Sequence, residues 1–288
     1  MIVNQRSLGS EIEFIRKQLG LSQQNLAKGI CSQSEISRIE KGEILPRVDN
    51  IFQIAVKLQV DIPYLFSILL REKNKYIEET TKAIVELNTK KDYEEVYNSS
   101  KIELKRPPAR DDFTFGLFLK WHYYVAAYET GKLQYETVIE ALETLVSTKN
   151  FMVKQQFQDM QMKNAMAIIH SKNTAFEKSI PLFEEILSTN LRIREYDVFK
   201  TKVHYNYGKM LCDHIRYDSA LKVVKRGIEL TVQIKDISML GNLYFQKGVC
   251  YEKLKYPQEK MLDCFEKAET IFRILDNQKY LKITQEKI

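Results

Sequence analysis

The stretch from Ser22 to Gly42 constrains the fold of this chain most, because its apolar residues repeat at helical spacing and the repeat is interrupted by a glycine. Five apolar residues, spaced by four or five residues within the first segment and by three within the second, predict a shared buried face: Leu21, Leu26, Ile30, Ile36 and Ile39. Ser22 and Ser32 stand where helix N-caps are expected. Gly29 lies between them and is the residue there that most readily adopts a positive φ. The pattern predicts two short helices joined by a tight turn, a helix-turn-helix.

The polar residues of the second helix indicate what this unit binds. Between its buried positions lie Gln33, Ser34, Ser37 and Arg38. Amide, hydroxyl and guanidinium groups are suited to hydrogen bonding with base edges in the major groove of DNA. Gln23 opens the first helix, where an amide side chain and a free helix N-terminus can meet a phosphate. These residues alone leave open an alternative, a solvated polar face on an ordinary helical hairpin.

Composition extends the helical prediction to the rest of the chain. At 288 residues the chain is too long for one helical bundle, and only 10 glycines and 6 prolines favour long helices over many strands. The net charge of +6 permits a polyanion as partner. Residues 1–70, however, hold eight Lys or Arg and seven Asp or Glu, a net charge of only +1. Affinity for DNA must therefore depend on where the charges lie.

The sequence contains no pattern typical of an enzyme, a metal site or a cofactor site. Its four histidines are scattered, and no glycine-rich phosphate-binding motif is present. Its four cysteines have no metal-binding spacing and predict reduced thiols in a cytoplasmic protein: Cys31, Cys212, Cys250 and Cys264. The N-terminal residues do not resemble a signal peptide, and no apolar run approaches the roughly 20 residues of a membrane helix. We therefore predict an intracellular protein without membrane contact, cofactor or enzymatic activity.

The helix-turn-helix residues resemble the lambda-repressor-like, or Xre-type, DNA-binding domain. The motif is carried by Arg16, Ser22, Gln23, Leu26, Ala27, Ser34, Ile36, Ser37, Arg38, Ile39, Glu40 and Gly42. A longer match, over residues 8–60, resembles more narrowly the PlcR-type regulators, a family of peptide-responsive quorum-sensing transcription factors that join this domain to tetratricopeptide repeats. The resemblance implies a DNA-binding domain over residues 1–70. It also implies that Arg16 pairs with Glu40 and so ties the first helix to the recognition helix. Two independent surface charges are the alternative.

The remaining helices of this domain can be placed along the chain. Apolar spacing predicts a first helix over residues 7–19, a fourth over 48–58 and a fifth from Pro63. Lys41 and Arg47 flank the loop before the fourth helix and are candidate phosphate contacts, or plain surface charges. From Ile62 onwards the pattern continues without a helix breaker, which predicts a linker helix that leaves the first domain and enters the second.

Residues 71–288 show a weak internal repeat of about forty residues, typical of helical repeat proteins. The clearest echo places Gly208 and Gly248 eight or nine residues before an aromatic residue, as expected for a small residue where two helices cross. Five helix pairs and a C-terminal helix follow from the periodicity, the pairs at about 72–104, 111–148, 151–190, 195–234 and 236–275. Such pairs resemble slightly long tetratricopeptide repeats, which stack into an α-solenoid with a concave inner face. The predicted fold is therefore all-α.

The first helix of each pair lines the predicted concave face. Asn164, Asn206 and Asn242 fall on three successive first helices, and an inward asparagine offers both a donor and an acceptor to an extended peptide. Neighbouring aromatic residues, Tyr205 and Tyr207 among them, are predicted to line pockets. Asparagines that bridge helices, with aromatic residues in the core, are the alternative.

The family resemblance implies peptide contacts at Lys91, Asn164, Asn206, Asn242 and Tyr280. Two positions depart from the family pattern, because Thr89 replaces a second lysine and Asn242 replaces a glutamine. The resemblance therefore implies the same class of ligand but a different peptide.

These features together predict a peptide-gated transcription factor. It would bind a two-fold symmetric site on double-stranded DNA as a homodimer and hold a short signalling peptide in its repeat domain. Two alternatives stay open. One is a repeat-based adaptor that binds another protein, and the other is a regulator that responds to oxidation of its cysteines.

Overall fold

The computed structural model describes residues 5–146, 152–173 and 175–288, and these residues form helices and connecting turns without a strand. The first five helices are α1 (Gln5–Gln18), α2 (Gln23–Ala27), α3 (Gln33–Glu40), α4 (Val48–Leu58) and α5 (Ile62–Lys90). The next six are α6 (Tyr93–Glu103), α7 (Pro107–Asp111), α8 (Phe113–Glu129), α9 (Tyr135–Val146), α10 (Val153–Ser171) and α11 (Ser179–Ser188). The last five are α12 (Arg194–Asp213), α13 (Tyr217–Ile234), α14 (Leu240–Lys253), α15 (Gln258–Ile274) and α16 (Gln278–Gln285).

The helix-turn-helix forms at α2 and α3 for the reasons visible in its sequence. Ser22 Oγ accepts a hydrogen bond from the backbone N–H of Asn25, and Ser32 Oγ accepts one from Glu35. Each serine thus satisfies one of the N–H groups that have no partner within the helix. Gly29 adopts φ +78° in the turn, as predicted. The apolar seam is buried at Leu26, Ile36 and Ile39 and half-buried at Leu21 and Ile30.

A glycine in α1 sets how closely the first helix approaches the recognition helix α3. A Cβ atom on Gly9 would lie 2.2 Å from the carbonyl oxygen of Ile39 and 2.6 Å from that of Glu40. These are backbone atoms and cannot move aside as a flexible side chain would. The two helices therefore pack with their backbones nearly in contact, and Leu8 and Ile12 of α1 are buried in the same core.

Helix α5 is 29 residues long and runs without interruption from the helix-turn-helix core into a second apolar cluster. Leu65 belongs to the first core, and Ile84 packs with Val96 and Phe115 in the second. The predicted fifth helix and linker helix are therefore one continuous helix.

The chain divides into two compact units, one that ends at Ala126 and one that begins at Ala127. The functional boundary predicted at residue 70 falls inside α5 and stays a prediction. In the described ranges no single helix is both long and apolar enough to cross a membrane. One helix pair, 48–58 with 62–70, passes the same test of length and composition, but it is bent by 117°.

The five predicted helix pairs are present, each with bounds close to those expected. They are the C-terminal part of α5 with α6, then α8 with α9, α10 with α11, α12 with α13, and α14 with α15; α16 is the C-terminal helix. The predicted pair bounds at residues 148 and 151 lie outside the described residues. Sequence periodicity missed the five-residue helix α7, which starts at two consecutive prolines and is too short to show a repeat.

In the second unit the first helices of successive pairs pack against one another. Helix α12 contacts both α10 and α14, whereas in the described residues the second helices α11, α13 and α15 contact one another less than the first helices do. The first helices therefore form the inner face of the curve. The predicted crossing glycines are confirmed, because a Cβ atom on Gly208 would lie 2.5 Å from Val224 Cγ2 and one on Gly248 would lie 2.6 Å from the ring of Phe265.

Candidate DNA-binding surface and peptide groove

The recognition helix α3 presents one polar face to solvent. Gln33, Ser34 and Arg38 are exposed and Ser37 is half-buried, while Ile36 and Ile39 point into the core. This is the division that the sequence predicted. Glu35, which shares the polar side of α3, accepts a hydrogen bond of 3.1 Å from Asn50 Nδ2 and so joins α3 to α4.

A hydrogen-bonded network fixes the orientation of that face. Arg16 donates from Nε to Glu40 Oε1 at 2.6 Å and from Nη2 to Glu40 Oε2 at 2.9 Å, which confirms the predicted pair. Gln23 Nε2 donates to Glu40 Oε2 at 2.8 Å, and Gln33 Nε2 donates to Gln23 Oε1 at 2.6 Å. The hydrogen bonds that Arg16 donates to Glu40 raise the pKa of the buried guanidinium group, which therefore keeps its charge. Helices α1, α2 and α3 are therefore joined by one chain of side chains.

The candidate phosphate contacts lie at the rim of the recognition helix. Lys41 is the exposed C-cap of α3, and Arg47 is the exposed N-cap of α4. Arg38 Nε lies 3.5 Å from Glu43 Oε2, and Arg47 Nε lies 3.6 Å from Asp49 Oδ1. Such exposed pairs are weak, so both guanidinium groups can exchange a carboxylate for DNA at little cost.

Sequence reasoning missed Lys57 of α4, which closes the C-terminus of α2. Its ammonium group donates to the carbonyl oxygens of Asn25 and Leu26, each at 3.1 Å, and to that of Lys28. A cation at a helix C-terminus is favoured by the helix dipole and satisfies carbonyl groups that lack partners within the helix. The contact joins residues more than 25 positions apart, and no local pattern reports it.

The predicted asparagines are on the inner helices of the second unit, as expected, and two of them bind each other. Asn206 Nδ2 of α12 donates to Asn164 Oδ1 of α10 at 3.2 Å. Asn164 and Asn242 are buried, whereas Asn206 is half-buried. A peptide that reaches these amides must compete with hydrogen bonds that the helices already make to one another.

Tyr205 lies between Asn242 and Tyr280, the other two predicted peptide contacts of the second unit. Its hydroxyl lies 3.4 Å from the hydroxyl of Tyr280 on α16 and is hydrogen-bonded to Asn242 of α14. Burial raises the pKa of Tyr205 well above its usual range, so it stays neutral and can donate a hydrogen bond. Lys91, the fifth predicted contact, belongs to the other unit, where it is the exposed C-cap of α5 with φ +61°.

The prediction that Tyr207 lines the groove is wrong. Its ring is buried in the core of the second unit and stacks on Phe183 with 5.0 Å between ring centroids. Residues two apart on a helix are separated by about 200° of rotation, so Tyr205 and Tyr207 cannot share one face.

Comparisons with known proteins agree with this two-part architecture. A family model described as the RNPP family C-terminal domain matches residues 81–288, and a helix-turn-helix model matches residues 12–65. The chain belongs to the RNPP family.

Solved structures extend this RNPP assignment over the whole chain. The crystal structure of Bacillus thuringiensis PlcR in complex with the peptide PapR7 and DNA is 35% identical, with a TM-score of 0.72, and covers 97% of this chain and 99% of that chain. The apo form of the same protein is 31% identical, with a TM-score of 0.75, and covers 98% and 99%. ComR from S. thermophilus, in complex with DNA and its signalling peptide, covers 97% and 98% with a TM-score of 0.57, but at 16% identity it supports the fold alone. No curated protein matches the chain significantly.

The structure of this RNPP-family chain also brings together two cysteines that the sequence could not place. Cys212 Sγ of α12 and Cys250 Sγ of α14 lie 3.3 Å apart in the core of the second unit, and Cys264 is buried in the same cluster. The hydrogen bond between the two thiols lowers the pKa of Cys212 and raises that of Cys250. In the described ranges no group of His, Cys, Asp and Glu is arranged to hold a metal ion.

Proposed function

We propose that this chain is a DNA-binding transcriptional regulator whose activity is controlled by a short peptide bound to the inner face of its repeat domain. The observation that carries the proposal is the exposed polar face of α3, held in place by the network from Arg16 through Glu40 and Gln23 to Gln33. The PlcR relative, which matches over nearly the full length of both chains, was crystallised with a peptide and DNA.

In this proposal Gln33, Ser34, Ser37 and Arg38 contact base edges, and Gln23, Lys41 and Arg47 position the phosphate backbone. Because each chain supplies one recognition helix, a homodimer on a two-fold symmetric duplex supplies two, spaced by whole helical turns. A protein with this task works where the chromosome is, so we propose a cytoplasmic location.

The peptide is proposed to bind at Lys91, Asn164, Asn206, Asn242 and Tyr280. Exchange of the Asn206–Asn164 and Tyr205–Tyr280 contacts for contacts with a peptide would change how α10, α12 and α16 pack. A peptide shifts the protein between two arrangements only if it binds one of them more tightly. The proposal therefore requires that DNA and peptide affinities be coupled.

DNA recognition is tested by selecting preferred duplexes from a randomised pool with the full chain, then repeating the selection with Arg38→Ala. We expect the variant to lose about 1–3 kcal/mol of binding to the selected duplex and to relax its base preference at one position of each half-site. The matched control is Lys17→Ala, which removes an exposed cation of α1 that is paired with Glu13. An equal loss on all sequences would make Arg38 a phosphate contact, and failure to select any duplex would refute the proposal.

Peptide control is tested by measuring DNA affinity of the full chain with and without a library of hydrophobic penta- to heptapeptides. A sequence-specific change in affinity, lost in Asn206→Ala, supports the proposal. DNA binding that no peptide changes would contradict peptide control and leave DNA recognition standing.

One observation favours a second candidate function, regulation by oxidation. Hydrogen peroxide can take two electrons and two protons from the Cys212 and Cys250 thiols, so that its O–O bond breaks, one S–S bond forms and two water molecules are released. The 3.3 Å contact favours this reaction, and the burial of both sulfur atoms opposes it. If hydrogen peroxide changes DNA affinity in the native chain but not in Cys250→Ala, this second function gains support.

A further inference from the structure

Lys202 is a cation on the inner face of α12 that has no acidic partner among the described residues. It lies one helical turn before Asn206 and three residues before Tyr205, so its side chain leaves the helix on the same side as both. Those two residues make the contacts to Asn164 and Tyr280 that define the groove. The side chain of Lys202 is exposed, so a ligand in the groove can reach it.

Two other lysines of α12, Lys200 and Lys209, each form an ion pair with an aspartate of the same helix. Lys209 lies two turns after Lys202 on the same face, and its Nζ is 2.6 Å from Asp213 Oδ2. Lys200 is 2.8 Å from Asp197 Oδ1 and packs on the ring of Tyr196. Lys202 has no equivalent carboxylate in the part of the chain that the structure describes, although it lies between these two pairs in the sequence.

The surroundings of Lys202 make the lack of a partner costly. Protein atoms crowd the ammonium group, so desolvation lowers the pKa of Lys202 although its side chain is open to solvent, and no charged neighbour among the described residues opposes this shift. A charge that is partly removed from water without a counter-charge destabilises the protein that carries it. An anion in the groove would remove this penalty.

The chemistry around the ammonium group favours a carboxylate. Asn206 and Tyr205 add an amide and a hydroxyl donor within one helical turn, and a carboxylate oxygen accepts several hydrogen bonds at once. A peptide brings a carboxylate either at its C-terminus or on an aspartate or glutamate side chain.

We propose that Lys202 is a binding residue of the groove and pairs with a carboxylate group of the bound peptide. This inference rests on the proposed function, since it names the chemistry that the peptide must carry. It assigns to the groove a specificity-determining cation that neither the motif nor the repeat pattern reports. Its consequence is that a neutral peptide of the same shape binds weakly.

The experiment measures peptide binding to the full chain by calorimetry, starting from whichever hydrophobic penta- to heptapeptide binds best. That peptide is compared with its C-terminal amide, and with versions in which each Asp or Glu is replaced by Asn or Gln. We expect one of these neutral forms to bind about 10- to 100-fold more weakly, the usual range for loss of a hydrogen-bonded charge pair. The form that loses affinity identifies the carboxylate as the terminal or the side-chain one.

Three variants assign the effect to Lys202. In Lys202→Met the acidic peptide should bind about as weakly as its neutral form does to the native chain, and the neutral form should be little affected. Lys202→Arg keeps the charge and should retain most of the preference. The control Lys209→Met removes a cation from the same helix face and should leave the preference intact, because Asp213 already neutralises it.

A measurement without peptide separates this inference from the proposed function. Because Lys202 is an unpaired, partly desolvated cation, Lys202→Met should raise the melting temperature of the free chain, and Lys209→Met should not. If peptides bind and Lys202→Met leaves their acid preference unchanged, peptide control stands and the inference is refuted. If no peptide binds the native chain, peptide control and this inference fail together, whatever the melting temperatures show.

Discussion

The helix-turn-helix region and helix α12 of the repeats differ in how completely their polar groups are partnered. In residues 5–70 every buried side-chain nitrogen or oxygen that the structure describes has a hydrogen-bond partner, including those of Arg16, Glu40 and Asn50. On α12 of the repeats, His204 Nδ1 is buried without a partner and Lys202 lacks a counter-charge in the described residues.

This difference indicates whether each surface has its side chains fixed before a ligand binds. The side chains proposed to contact DNA are held by contacts inside their own domain, so their geometry is set before a ligand arrives. On the proposed peptide-binding face, side chains hydrogen-bond to one another, and Lys202 has no counter-charge among the described residues. A ligand can therefore still add stabilising contacts there. Recognition of a fixed DNA sequence is served by a surface whose side chains are already held in place. A response to a peptide is served by a surface whose contacts change when the peptide binds.

The largest effect should come from breaking the completed network. Arg16→Met leaves Glu40 as a buried carboxylate without its cation, which costs about 3–5 kcal/mol. Hydrogen exchange of the α1–α3 amides measures the loss. Lys17→Met, which removes one member of an exposed pair, should cost less than about 1 kcal/mol. Recovery of much of the stability in Arg16→Met combined with Glu40→Leu would show that the unpaired charge was responsible. A small loss in Arg16→Met alone would contradict the comparison.

Low pH should destabilise the repeats through His204 of α12. Burial lowers the pKa of His204 from 6.5 to about 4, although the ring keeps a hydrogen bond to the backbone of Val223. The unfolded chain therefore binds a proton below pH 6.5 that the folded chain does not bind until about pH 4, and the stability of the repeats falls as the pH drops through this interval.

The full shift corresponds to about 3 kcal/mol. Urea unfolding at pH 7.5 and pH 5 captures about 2 kcal/mol of it, and His204→Gln should reduce the difference by that amount because glutamine does not titrate, while burial of His122 and His170 leaves a remainder. An unchanged pH dependence in the variant would place the acid sensitivity at other groups.

The crossing glycines test the long-range packing of the repeats. Gly248→Ala places a methyl group against the Phe265 ring, and we expect a loss of about 1–3 kcal/mol in thermal unfolding, as for other overpacked cores. Lys253→Ala, on the exposed side of the same helix, is the control. A neutral Gly248→Ala would mean that α14 and α15 can move apart without cost.

The smallest effect concerns the turns. The turn between α2 and α3 places Gly29 at φ +78°, whereas the turn between α12 and α13 places Ile215 at φ +62° with its side chain 74% exposed. A β-branched residue is strained in this conformation, so Ile215→Gly should stabilise the repeats by about 1 kcal/mol in the same unfolding assay. A loss of stability would show that the Ile215 side chain makes contacts worth more than the strain.

Much of the geometry of the proposed DNA-binding site could be predicted because its determinants are local. The caps at Ser22 and Ser32 and the exposed face of α3 follow from spacing within one or two helical turns. The Arg16–Glu40 pair joins residues 24 positions apart, and the motif resemblance rather than the spacing supplied it. Lys57 was missed because nothing near it in the sequence marks the carbonyl groups that it caps.

In the repeats the sequence predicted the helix pairs and the crossing glycines but misplaced Tyr207. Periodicity fixes which residues share one helix face, and it does not fix which face the neighbouring helices cover. The contact of Cys212 with Cys250 depends on the distance between α12 and α14, which is a property of the curved stack.

The sequence by itself determined the all-helical class, the helix-turn-helix and the order of the helix pairs, because caps, turns and apolar spacing act over a few residues. Tertiary structure alone decided which charged groups find partners on other helices. Arg16 meets a carboxylate, and Lys202 meets none among the described residues, although both are ordinary basic residues in their own helices. The physical reason is that a pair between two helices needs a distance of about 3–4 Å between their charges, and only the packed chain sets that distance.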